Sequence, residues 1–182
     1  WSESDKLFYT RNPKCELSLQ SPLTYIVINR DVCDKERHVS NGQFGGVYLV
    51  DELVAQDLST KMYIVNTHPS YLPGQHWVVF NFKQENYIEF FDSFGRRPGS
   101  YNPYFNQVLQ RDYVYNTNVL QHHDSNVCGF YCLCYVLLRS RDYSFEDFLD
   151  LFSNSTKHND LFVSRFVTTL WNVAWCYNES MY

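Results

Sequence analysis

Nine consecutive residues, Phe130 to Leu138, are apolar, reading Phe-Tyr-Cys-Leu-Cys-Tyr-Val-Leu-Leu. A run without a polar face predicts a helix over residues 129–140 that is surrounded on every side and lies at the centre of a core. It is far short of the ~20 residues that cross a bilayer, so no membrane span is expected. The chain's 182 residues can build one such core, and at roughly 150 residues per domain they argue for one domain with an appended arm. An aromatic share of 18% excludes overall disorder.

Around that helix the patterns are mixed. Residues 1–40 hold one strand-like stretch, 24–29, and are read as an N-terminal arm of unassigned role, leaving 41–182 as the main domain. The opening residues have no basic segment followed by an apolar one, so no signal peptide is expected there. Asn41-Gly-Gln-Phe-Gly-Gly46 reads as a turn. The apolar residues at 47, 50, 53 and 54 then have the spacing of one helix face. Strand-like runs follow at 62–66, 77–82, 87–91 and 112–116, the second and third close enough to form a hairpin. A helix is expected over 101–110, with Pro103 in its first turn. Another opens with a capping box at Ser144-Phe-Glu-Asp147 and puts Phe145, Phe148, Leu149 and Phe152 on one face; a last begins near Asp160. Strands gathered between helices indicate an α+β domain.

A net charge of −5 is the opposite of the basic footprint of nucleic-acid binding and argues against DNA as a partner. The six cysteines lack the spacing of a structural zinc site, and a chain of this size needs no disulfide staples. Free thiols in a reducing intracellular compartment fit best, with no metal and no cofactor.

Cys128 lies between a polar loop and the apolar helix, so its sulfur falls at a helix N-terminus. The positive end of a helix and an adjacent imidazolium both favour thiolate over thiol. Taken alone, Cys128 reads as a small hydrophobe heading a buried helix, as Cys132 and Cys134 do. A nucleophile needs a base, and the base an orienter. His76 opens the strand-like run 77–82 and Asp92 closes the next, so a hairpin brings imidazole and carboxylate to one end of a sheet. His122 and His123 are nearer in sequence but have no strand-borne carboxylate to orient them. An oxyanion needs two preorganised donors. The Cys128 backbone N–H is one, and Gln121, folding back over the loop, is the other. The ordered set His76, Asp92, Gln121, Cys128 is a far stronger signal than any member.

Gln75-His-Trp-Val-Val-Phe-Asn-Phe82, Phe90-Phe-Asp-Ser-Phe-Gly95 and Gln121-His-His-Asp-Ser-Asn-Val-Cys-Gly-Phe-Tyr-Cys132 resemble, in order and spacing, the signature blocks of the adenovirus-type cysteine proteases (adenain) and their relatives in Maverick/Polinton elements and adintoviruses, within the ubiquitin-like-protease superfamily. The resemblance covers roughly residues 43–170. It implies a papain-like α+β fold with permuted catalytic order, a central mixed or antiparallel sheet flanked by helices, and a cysteine endopeptidase. His76 is then the base, Asp92 its orienter, Cys128 the nucleophile and Gln121 the oxyanion donor. Trp77 lines a narrow groove and Gly129 lets the substrate backbone approach, so cleavage falls after Gly-Gly or Gly-x-Gly. The implied substrates are viral structural precursors, in host cytoplasm, nucleus or virion. Residues 93–120 contain no cysteine, which leaves room for a peptide activator but not for one tethered there by a disulfide. The competing readings are a deconjugase acting on ubiquitin or a ubiquitin-like modifier and a scaffold without activity; the four intact residues argue against the scaffold.

Overall fold

The computed structural model describes residues 17–18, 27–28, 40, 42–55, 58 and 61–179, the last ten of them as helical backbone. Strands β1 (Leu17–Ser18) and β2 (Val27–Ile28) pair antiparallel. The strand expected over 24–29 is described only at Val27–Ile28, and most of the arm lies outside the described residues.

The main sheet is built from β3 (Phe44–Leu49), β4 (Met62–Asn66), β5 (Trp77–Asn81), β6 (Ile88–Phe91) and β7 (Tyr113–Tyr115), in that spatial order. β3 runs parallel to β4, and β7 to β6, while β4, β5 and β6 alternate in direction. The result is a mixed sheet in an α+β fold. The expected hairpin is present, with Phe80 opposite Phe90 and Asn81 opposite Glu89.

Among the described residues five α-helices accompany the sheet: α1 (Val50–Val54), α2 (Pro103–Val108), α3 (Cys128–Arg139), α4 (Phe145–Leu149) and α5 (Thr156–Glu179). Met62, Ile64, Trp77, Val79 and Phe91 pack in one core with α3, α4 and α5. The alternate residues Tyr63, Val65, Val78, Phe80, Ile88 and Phe90 pack in a second core with α1 and α2. Burial on both faces explains why these strands read as continuous apolar runs without a polar alternation. All residues of α3 are buried, as its apolar run requires. Side-chain caps set two of the other helix starts. The Asn102 side chain accepts the Tyr104 N–H ahead of Pro103 in α2, and Ser144 and Asp147 exchange the two bonds of a capping box at α4. No helix among the described residues is long and apolar enough to cross a membrane.

Three expectations are corrected. The helix expected from residue 47 begins three residues later: β3 runs to Leu49 and Val50–Val54 is helical. The helix-like spacing there is outweighed by parallel pairing of Val47, Tyr48 and Leu49 with Ile64, Val65 and Asn66. Gly45 makes that pairing possible, because a Cβ at that position would lie 2.3 Å from Tyr63 Cε1. The last helix starts at Thr156 rather than near Asp160, because its first turn is polar and carries no apolar period. α4 ends at Leu149, which leaves Phe152 beyond it, half-buried against the same core.

Candidate active site

β4, β6 and β7 point toward one end of the sheet, and β5 starts from it. Most of the buried polar residues lie there, including Thr67, His76, Asp92, Ser93, Asn116 and Gln121. Buried polar groups are costly without partners, and here all but one find them: the Thr67 hydroxyl is the buried side-chain oxygen left without a hydrogen bond among the described residues.

His76 immediately precedes β5 and is 5% exposed. Its Nε2 lies 2.6 Å from Asp92 Oδ1. Its ring sits near Phe94, with centroids 4.9 Å apart, and is stacked with Tyr101 at 6.3 Å. The Cys128 thiol lies close enough to act on its titration. With Nε2 engaged by Asp92, Nδ1 is the nitrogen left for sulfur. Burial alone would lower the pKa of this imidazole, but the hydrogen bonds and charges of Asp92 and Cys128 outweigh it and raise it from 6.5 to about 9.

Asp92 follows β6 and is fully buried. Its carboxylate accepts four hydrogen bonds: His76 Nε2 and the Phe94 N–H on Oδ1, and the Arg96 N–H and Tyr101 O–H on Oδ2. Burial pushes the carboxyl up, yet His76, with help from Tyr101 and the Phe94 N–H, holds it below its ordinary value. Asn116, just after β7, anchors the Asp92 main chain by accepting its N–H and donating to its carbonyl. The turn closes at Gly95, whose φ is +65° and where a Cβ would lie 2.7 Å from the carbonyl oxygens of Thr117 and Asn118.

Cys128 is the first residue of α3 and is 8% exposed. No side chain caps this helix, since Val127 occupies the N-cap. The first-turn N–H groups therefore have no side-chain acceptor of their own. Burial pushes the Cys132 thiol well up and the Cys134 thiol to about 12, which keeps both inert, as their place inside the helix led one to expect. Gln121 is 1% exposed; its Oε1 accepts from Ser93 Oγ and its Nε2 donates to the Ser125 carbonyl. Trp77 is buried in the cluster that contains Cys128, and Gly129 is buried as the second residue of α3.

The structure thus brings His76, Asp92 and Cys128 together, and ties Gln121 to the residue after Asp92. His122 and His123 stay on the loop, and with Asp124 they bring metal-ligating atoms within 4.8 Å of one another. Tyr101, Ser93 and Asn116 were missed by sequence reasoning. Ser93 at least lies inside the Phe-Asp-Ser-Phe-Gly block; Tyr101 and Asn116 reach Asp92 only through the tertiary fold.

No protein-family model matches the chain, and no curated protein matches it. Among solved structures, two crystal structures of the ASFV pS273R protease, one a selenomethionine form, are similar at 19% and 18% identity, each with a TM-score of 0.35. The alignments cover 54% and 55% of this chain and 41% and 39% of those chains, so this chain spans about two fifths of their length. Similarity at that level neither places the chain in a family nor says what it does.

Proposed function

We propose that the chain is a cysteine endopeptidase. The observation that carries this reading is the buried imidazole of His76 held between Asp92, at 2.6 Å, and the thiol at the head of α3. At neutral pH His76 is held protonated, the form that pairs with a thiolate and later protonates a leaving amine. Cys128 sulfur attacks the scissile carbonyl carbon, and the carbonyl oxygen takes up the electron pair. The Cys128 N–H and Gln121 Nε2 stabilise that oxyanion. Collapse breaks the C–N bond as His76 donates its proton to the amine, leaving a thioester. His76, now neutral, takes a proton from water as it attacks the thioester, which releases the acid and restores the thiolate–imidazolium pair.

The resemblance of the three sequence blocks supports a viral or viral-element enzyme that matures precursor proteins after Gly-Gly or Gly-x-Gly, with Trp77 and Gly129 at the groove. The test is cleavage, under reducing conditions, of Gly-Gly and Gly-x-Gly peptides beside ubiquitin and SUMO C-terminal reporters, with Cys128→Ser as the blank. Peptide cleavage alone supports the maturation enzyme. Reporter cleavage moves the assignment to a deconjugase of the same superfamily, and turnover that survives Cys128→Ser refutes the nucleophile.

A further inference from the structure

Ser93 is 1% exposed and follows Asp92 directly. It grips the Gln121 segment at three points. Its carbonyl accepts the N–H groups of Leu120 and Gln121 at 2.9 and 3.0 Å, and its Oγ lies 2.7 Å from Gln121 Oε1. On the far side of the amide, Gln121 Nε2 donates to the Ser125 carbonyl at 2.8 Å. A carbonyl oxygen only accepts, so the amide nitrogen must face Ser125 and the amide oxygen must face Ser93. Turning the amide over would set oxygen against oxygen at Ser125. At Ser93 the hydroxyl can donate or accept, so the Ser125 carbonyl selects the orientation and the Ser93 bond holds the amide in it. One Nε2 proton is used by Ser125, and the second stays available.

We propose that Ser93 is a positioning residue that holds the Gln121 amide in the orientation set by the Ser125 carbonyl, so that an N–H rather than a carbonyl oxygen meets the developing oxyanion. The inference rests on the reading of Gln121 as an oxyanion donor. A carbonyl oxygen turned toward the oxyanion would repel the charge that forms there. Ser93 also makes one short turn serve both halves of the site. Asp92 orients the base, and the next residue orients the oxyanion donor, so the spacing of base and donor is set across a single peptide.

The test is Ser93→Ala, measured once wild-type peptide cleavage is in hand. Loss of one neutral hydrogen bond lowers kcat by about tenfold with KM within about twofold. Alkylation of Cys128 by iodoacetamide, which forms no oxyanion, proceeds at the wild-type rate. In a Gln121→Ala background the same substitution changes kcat by less than about twofold, because the residue it acts through is gone. Ser93→Thr, which keeps the hydroxyl, regains most of the loss. Should Ser93→Ala fail to fold, Ser93→Cys, similar in shape but a weak donor, carries the same comparison. Wild-type kcat in Ser93→Ala overturns the proposal, as does an equal loss in both backgrounds. Slowed alkylation also overturns it, since the effect would then pass through Asp92 and His76. A wild-type chain that cleaves neither peptide nor reporter instead fails the protease reading itself, and the inference falls with it.

Discussion

Asp92→Asn replaces a carboxylate that accepts four hydrogen bonds by an amide that has one accepting atom and one donating atom. If the amide oxygen takes the place of Oδ1, His76 and Phe94 keep their acceptor and Tyr101 can rotate to accept, but the Arg96 N–H loses its partner. If it takes the place of Oδ2, the amide nitrogen faces His76 Nε2, which must then accept, and the imidazole is forced into the wrong tautomer. Either way one part-buried N–H, that of Arg96 or of Phe94, loses its acceptor and turns to water, at about 1 kcal/mol or less. The larger effect is on protonation. The rise of His76 from 6.5 to about 9 corresponds to about 3 kcal/mol favouring the imidazolium in the fold. Because the folded pKa lies above the unfolded one, that stability is fully present below pH 6.5 and is lost as pH rises through about 9. Urea unfolding of wild type between pH 6 and 10 should therefore show stability falling with pH across this window. In Asp92→Asn the Asp92 share of the rise is gone and only that of Cys128 opposes burial, so His76 titrates lower and the slope flattens. The high-pH limb of kcat/KM should lie near 9 in wild type and move to lower pH in the variant. Activity at pH 7 should fall by at least about 10²-fold. An unchanged limb, or the same pH slope in wild type and variant, would refute the assignment of the raised pKa to Asp92.

Gln121→Ala should lower kcat by about 10²- to 10³-fold with little change in KM; an effect confined to KM makes Gln121 a binding residue. Cys132→Ser and Cys134→Ser each place a hydroxyl in a fully packed core, so both should lose about 1–3 kcal/mol in denaturant titrations while kcat at saturation holds. Tyr101→Phe removes the O–H that donates to Asp92 Oδ2 at 2.6 Å but keeps the ring beside His76, and should lower kcat/KM by about 5- to 10-fold. Glu89→Gln leaves the buried Arg139 guanidinium without its counter-charge and should cost about 3–5 kcal/mol of stability, read by urea unfolding.

The features that patterning revealed are those set by local chemistry. An apolar run without a polar face is buried on every side, and at nine residues it is long enough to be a central helix, as α3 is. Two apolar runs four residues apart can only fold back on each other, and that hairpin is what puts His76 and Asp92 in hydrogen-bond contact. What patterning missed was decided by distant partners. β3 became a strand because a glycine at 45 lets Tyr63 approach, which no window around residue 47 contains. The first turn of α5 faces a polar environment, so it has no period to detect. Ser93, Tyr101 and Asn116 are ordinary polar residues whose significance lies in which carboxylate or amide the fold brings to them.

A buried ion pair far from the candidate site follows the same logic. Glu89 lies in β6 on the face that packs α3, and it takes hydrogen bonds from Arg139, Tyr135 and Asn81. Asp92, just past the end of the same strand, reaches Cys128 through His76. β6 and the residue after it therefore place an acid toward each end of α3: Glu89 pairs with the last residue, and Asp92 acts on the first through His76. The two carboxylates are about 10 Å apart along the strand, and the helix ends about 16 Å apart along its axis; the long Arg139 side chain and the interposed His76 span the difference. Between them, the rings of Phe91 and Tyr135 stack at 5.1 Å. Sliding α3 by one turn, about 5.4 Å, would break the ion pair and remove the sulfur from His76 at once. Apolar packing alone specifies such a register weakly, because α3 presents apolar side chains on every face. A charge pair that costs desolvation energy without adding much net stability is well suited to the task, since its value lies in the alternatives it excludes.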